Sequence, residues 1–177
     1  LAFLGRISPE KRPDLAIEIA RRAGLPLKIA AKVDPVNRDY FAAEIEPLLE
    51  GGGVEFVGEL DEAGKRPFLA AARALLFPID WPEPFGLVMI EAFACGTPVI
   101  AFRRGSVGEI VEDGRTGFIV ADVPDAVAAV REALWLDRKA IQERFRRRFT
   151  IGRMVRDYVD LYQRVLGVRV PALATNM

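Results

Sequence analysis

At 177 residues the chain suits a single domain of ordinary size, about 100 to 200 residues, and 51% hydrophobic with 28% charged residues excludes a disordered or collagen-like segment. Twenty-five basic residues balance twenty-five acidic ones, unlike a general nucleic-acid binder with its basic excess. Histidine is absent, which excludes imidazole base catalysis, Ser/His/Asp and Cys/His pairs, and His-ligated metal within the chain.

Apolar runs alternate with helical patterns along the chain, the mark of repeated βα units and a parallel sheet. The first expected strand is Leu1 to Leu4. A loop, Gly5 to Arg12, leads to a helix opened by Pro13, with Leu15, Ala16, Ile19, Ala20 and Ala23 on one face and Gly24 as its stop. Leu27 to Ala31 reads as the second strand. A weaker helix, about Asp39 to Leu49, runs through the Gly51-Gly52-Gly53 turn into a third strand, Val54 to Val57. A helix from about Asp61 to Ala72 precedes strand four, Ala74 to Ile79. Then come a helix, Gly86 to Cys95, a strand, Pro98 to Phe102, and a short last strand, Gly117 to Val120. The stretch from Pro124 to Leu166 reads as helical in two or three pieces. The expected fold is α/β, an open parallel sheet with right-handed crossovers and helices on both faces, its ligand crevice at the carboxyl ends of the strands.

The lone Cys95 can build neither an internal disulfide nor a cysteine metal site; it reads as a small buried hydrophobe and makes the cytoplasm the expected compartment. The longest uncharged stretch, Ala92 to Phe102, has eleven residues, against the roughly twenty that cross a bilayer. Because the chain begins on Leu1 and enters a strand at once, it is expected to be a segment of something longer.

Chemistry is expected where strands end. The loop Gly5-Arg6-Ile7-Ser8-Pro9-Glu10-Lys11 places two cations beside a helix N-terminus, an arrangement that suits phosphate. The alternative is two solvated surface cations. The loop Asp80-Trp81-Pro82-Glu83-Pro84-Phe85-Gly86 brackets a carboxylate between prolines, and rigid strand-end loops commonly hold a side chain in place. Glu91 follows Glu83 by eight residues, about 12 Å on a continuous helix. That is too far for an acid/base pair straddling one bond, and better suited to accepting hydrogen bonds from two sets of hydroxyls, such as those of a sugar and a ribose. Gly86 permits close backbone approach, and the N–H groups of Gly86 and Leu87 would point at the same ligand. The competing assignment makes Glu83 a helix-dipole acid and Glu91 one half of an ion pair.

Together, Gly5-Arg6 with Lys11, Glu83-Pro84-Phe85-Gly86 to Glu91 as an E-x7-E, Ala94-Cys95-Gly96-Thr97-Pro98-Val99, and Glu109 followed by Asp113-Gly114-Arg115-Thr116-Gly117 resemble the donor-binding half of family 4 glycosyltransferases. The resemblance runs nearly the whole chain. It implies one Rossmann-like lobe, residues 1–177, of a two-lobed B-type glycosyltransferase fold, with the N-terminal acceptor lobe lying outside this chain. It further implies transfer of a sugar from a nucleotide diphosphate donor, with retention and without metal or other cofactor. The isolated chain is then expected to bind donor without turning over. By the same resemblance Arg6 and Lys11 neutralise the diphosphate, Glu83 contacts the donor sugar, Glu91 holds the ribose hydroxyls, and the turn Phe85, Gly86 and Leu87 reaches sugar and phosphate. Arg6, Lys11 and Glu83 are thus the expected catalytic residues, and Phe85, Gly86, Leu87 and Glu91 the donor-binding ones.

The sequence departs from the family pattern at Gly105-Ser106-Val107-Gly108-Glu109, which keeps the first glycine and the acid but not the second glycine or the proline. It departs again at Ala31, where the family commonly has glycine. Residues 131–170 carry eleven basic and five acidic residues, net +6, against net −6 over residues 1–130. The Arg144, Arg146, Arg147, Arg148 run reads as a solvated helix face, with no nucleic-acid partner expected and peripheral membrane contact not indicated. Phe145, Phe149, Met154, Tyr158, Leu161 and Tyr162 recur at helical spacing and read as core or as a packing surface for the other lobe. Leu134 and Trp135 read as helix anchors. Rival readings of the same fold are a lobe of a nucleotide-sugar epimerase or a sugar phosphorylase; a non-catalytic interaction module is a further rival. A dinucleotide dehydrogenase is disfavoured because Gly5 to Lys11 lacks G-x-G-x-x-G.

Overall fold

The computed structural model describes residues 1–167. Six parallel strands form one sheet in the order β3-β2-β1-β4-β5-β6, with β1 Ala2–Arg6, β2 Leu27–Lys32, β3 Val54–Gly58, β4 Leu75–Phe77, β5 Val99–Phe102 and β6 Gly117–Val120. Nine α-helical segments are described: α1 Pro13–Ala23, α2 Arg38–Tyr40, α3 Glu46–Leu49, α4 Glu62–Ala71, α5 Leu87–Ala94, α6 Val107–Ile110, α7 Val123–Ala133, α8 Arg138–Arg148 and α9 Ile151–Leu166. Strand order reverses between β1 and β4, so their carboxyl ends open a crevice at that point.

Side chains of successive strand residues point to opposite faces, and the core divides accordingly. Phe3, Ile29, Leu76, Ile100 and Val120 join α1 and α7 in one cluster. Ala2, Leu4, Leu75, Phe77, Val99 and Ala101 join α4, α5 and Ile141 of α8 in the other. The central strands β4 and β5 are buried on both faces, which is why they read as continuous apolar runs, whereas the edge strand β3 alternates half-buried residues with the exposed Glu55 and Val57.

Several boundaries move. β1 carries Gly5 and Arg6 inside the strand, paired with Ala31 and Lys32 of β2, so the loop after it is shorter than its glycine suggests. The weak second helix is broken: a 3-10 turn, Pro35–Asn37, precedes α2, and a π-helical stretch, Phe41–Ile45, separates α2 from α3. The short helix α6 had no periodic signal, because four residues give none. Leu134 and Trp135 do not anchor a helix. Leu134 caps the end of α7, and the Trp135 ring stands 90% exposed. The C-terminal aromatic set divides as well. Phe145 and Phe149 pack on the second cluster, whereas Met154, Tyr158, Leu161 and Tyr162 of α9 are exposed.

Candidate functional site

The carboxyl ends of β1 and β4 carry the two loops singled out above. A 3-10 turn, Pro9–Lys11, follows β1 and delivers Lys11 into the crevice. There its Nζ meets Glu83 Oε2 at 2.5 Å, with the two side chains only 16% and 12% exposed. The same ammonium lies over the rings of Phe77 and Trp81, 5.6 and 5.7 Å from their centroids. Trp81 Nε1 also donates to Glu83 Oε2, at 2.9 Å. Burial pushes the Glu83 carboxyl up. The hydrogen bonds from Lys11 and Trp81, the Lys11 charge and the Gly86 N–H outweigh it and hold the group below its ordinary value.

This loop is fixed from three sides. Asp80 N–H donates to Glu10 O at 2.9 Å, and its carboxylate lies 3.2 Å from Arg104 Nε and 3.8 Å from Arg12 Nη1. Ser106 N–H donates to Glu83 O, and Ser106 Oγ to Phe85 O, each at 2.9 Å. Gly105, at φ +50°, presses its Cα so close that an added Cβ would lie 2.3 Å from Glu83 O. Only glycine fits that approach. Gly86 is favoured for a different reason: its φ of +73° lies in the left-handed region, while the nearest obstacle to a Cβ is only the mobile Met89 Cε. The retained glycine of the Gly105-Ser106 motif is therefore a brace for the Glu83 loop.

Arg6, at the end of β1, is 55% exposed and pairs loosely with Glu10 at 3.6 Å and Asp34 at 3.9 Å. It lines a cavity of about 350 Å³ with Gly5, Lys32, Glu59, Lys65 and Glu91 among its walls. Glu91, on α5, lies 3.6 Å from Lys65 Nζ, which also meets Glu62 at 2.5 Å. Phe85 and Leu87 are exposed.

The predicted residues thus fall into two groups rather than one. Arg6 and Glu91 share the open cavity, while Lys11 and Glu83 neutralise each other beside it. Glu83 is not on a helix with Glu91, since α5 begins at Leu87, so the axial spacing expected for a continuous helix does not describe the pair. The Gly86 N–H, expected to face a ligand, is turned to the Glu83 carboxylate. Lys65, Glu62, Asp80 and Arg104 were missed. Lys65 carries a weak signal, a cation in the first turn of a helix that Asp61 caps through the Gly64 N–H, at a strand's carboxyl end.

Other motif residues prove to be architectural. Thr97 Oγ1 donates to Leu69 O and accepts from Arg138, whose guanidinium also holds the carbonyls of Ala70 and Ala72. Asp113 Oδ1 accepts from the Ile119 N–H, and Thr116 Oγ1 from the Glu112 N–H. The arginine run is not simply a solvated face: Arg144 and Arg148 grip Glu112 at 2.7 and 3.0 Å. Cys95 is half-buried, its thiol pushed up by burial. Among the described residues no group of three His, Cys, Asp or Glu side chains could hold a metal ion, and no helix is long and apolar enough to cross a membrane.

The chain is similar to known proteins over most of its length. D-inositol 3-phosphate glycosyltransferase of Kribbella flavida is 34% identical over 154 residues, covering 73% of this chain and 34% of its own length. Glycogen synthase of Mycobacterium tuberculosis is 35% identical over 153 residues, covering 82% and 36%. The chain therefore spans about a third of the length of these curated relatives. Among solved structures, AviGT4, a glycosyltransferase involved in avilamycin A biosynthesis, superposes with a TM-score of 0.78 at 27% identity, over 94% of this chain and 51% of that one. Anabaena Alr3699/HepE, crystallised with UDP and glucose, shares the fold with a TM-score of 0.75 at 22% identity, over 92% and 48%. The family model of the glycosyl transferases group 1 matches residues 1–149; with its Rossmann-like sheet and its strand-end site, the chain belongs to that glycosyltransferase family.

Proposed function

We propose that the chain is the donor-binding lobe of a retaining, metal-independent glycosyltransferase that takes a nucleotide diphosphate sugar and uses no cofactor. The observation that supports this reading is that Arg6 and Glu91 line one cavity and Lys11 and Glu83 pair with each other, both groups carried by the end of β1 and the segments that follow β1 and β4, where strand order reverses. Cleavage of the donor builds negative charge on the departing diphosphate, and fixed cations stabilise that charge when no metal does. Arg6 is exposed and free to turn to phosphate. Lys11 has three donors, and Glu83 occupies one. Glu83, held ionised and still, faces the donor sugar, and Glu91 receives the ribose hydroxyls. A protein of the same fold was crystallised with UDP and glucose, which supports a nucleotide and a sugar as the class of ligand.

Acceptor-side groups come from an N-terminal lobe outside this chain, and the exposed apolar face of α9 is the surface that lobe covers. Alone, the chain binds donor without transferring sugar. The lone, half-buried Cys95 fits a reducing cytoplasm. Calorimetry with uridine, guanosine and adenosine diphosphates is the test. Saturable binding of at least one, weakened about tenfold or more in the Arg6→Ala/Lys11→Ala double variant, is expected. A folded sample that binds none at millimolar concentration overturns the reading.

A further inference from the structure

Lys65 stands where three observations meet. It lies in the first turn of α4, and its ammonium reaches across to α5, 2.5 Å from Glu62 Oε1 and 3.6 Å from Glu91 Oε1. Glu62, Lys65 and Glu91 together wall off the cavity containing Arg6 from a second of about 330 Å³ that extends toward Cys95. Among the described residues, Lys65 is the one cation within 4.0 Å of the Glu91 carboxylate. The bond to Glu62 joins neighbours on one exposed helix turn, a kind of pair that contributes little. The reach to Glu91 joins two helices and ties down a partly exposed acid on the wall of the cavity that Arg6 also lines.

We propose that Lys65 is a positioning residue: it anchors the Glu91 carboxylate so that its oxygens meet the 2′- and 3′-hydroxyls of the donor ribose, making the site selective for ribonucleotides over deoxyribonucleotides. The proposal rests on the reading above, in which Glu91 receives those hydroxyls. An ionised carboxylate accepts only; once a cation fixes it, a sugar lacking a hydroxyl leaves an acceptor unpaired, and sites of that kind discriminate strongly. Unanchored, the same glutamate must be ordered by the ligand itself, which erodes the preference. The hydrogen bond to Glu62, set against burial, together with the Glu91 charge keeps the Lys65 ammonium above its ordinary value, so it remains a cation through the neutral range.

The experiment is calorimetry on the 177-residue chain with the nucleoside diphosphate that binds and with its 2′-deoxy and 3′-deoxy analogues, for wild type, K65M, K65R and E62Q. K65Q serves in place of K65M if thermal unfolding shows that variant destabilised. The expected result is a ribo-over-deoxy preference in wild type that falls by about tenfold in K65M, the worth of one charge-assisted hydrogen bond. K65R should restore it, and E62Q should leave it within about twofold. A K65M preference equal to wild type overturns the proposal, as does E62Q behaving like K65M. Wild type binding the diphosphate with no ribo preference overturns it while leaving the nucleotide reading intact; wild type binding no nucleotide overturns both.

Discussion

The two carboxylates of the E-x7-E spacing sit in opposite surroundings. Glu83 is closed in, with a cation and an indole N–H on one oxygen, its main chain clamped by Ser106 and Gly105 and its charge cancelled before any ligand arrives. Glu91 stands at the edge of an open cavity, its one ion pair among the described residues being the longer contact to Lys65. Two acids eight residues apart thus differ in order: one is already set by its partners, while the other keeps an open cavity in front of it. Preorganisation of this kind is what makes fixed charges effective when charge develops during a reaction.

That contrast can be broken most forcefully at the brace. Gly105→Ala would put a methyl group 2.3 Å from Glu83 O at a positive φ, so the Glu83 loop must move. The expected loss is about 3 kcal/mol or more, read from urea unfolding, with Arg6 and Glu91 left in place. A loss below 1 kcal/mol would mean that the two loops are not rigidly docked.

Next comes the closed pair itself. Lys11→Met leaves Glu83 largely buried without its cation and should cost about 2 kcal/mol. The double variant Lys11→Met/Glu83→Gln should cost less than the two single changes together. Because the folded-state value of Glu83 lies below the ordinary carboxylate range, its stabilising contribution is full above that range. It is lost as pH falls through the folded-state value. Glu83→Gln should therefore flatten the acid limb of the stability curve, and an unchanged limb would remove the ion pair from the account.

The smallest effect sharpens the comparison from the open side. Arg6 is 55% exposed with only loose ion pairs, so Arg6→Ala should alter unfolding stability by no more than about 0.5 kcal/mol. A larger loss would show that the two sides of the crevice are one cooperative unit.

Reading the chain residue by residue anticipates the sheet well and the site unevenly. Alternation of apolar runs with helical patterns finds all six strands: burial on both faces leaves consecutive apolar residues in β4 and β5, and one-sided burial leaves alternating ones in β3. It also singles out Arg6, Lys11 and Glu83 at or after strand ends, since charge beside prolines and glycines is conspicuous, and Glu91 on α5 by its spacing from Glu83. What it cannot find is pairing. That Lys11 reaches Glu83, 72 residues on, or that Arg104 and Ser106 fasten the loop of Asp80 and Phe85, depends on which strands lie side by side. Lys65 was hidden for a related reason: its partner Glu91 belongs to another helix, and on its own helix it looks like an ordinary surface cation. Trp135 misled in the opposite direction, since an aromatic residue near a helix end suggests burial until the turn after α7 points it outward.

The outward turn of Trp135 has an optical consequence. The chain holds two tryptophans: one stands in solvent, and the other, Trp81, gives its indole N–H to Glu83 with Lys11 over its ring. Replacing Trp135 by phenylalanine leaves Trp81 as the sole indole emitter. Nature has thereby placed a fluorescent reporter against the charged pair, and its emission can follow the crevice directly as ligands enter or as acid loosens the pair.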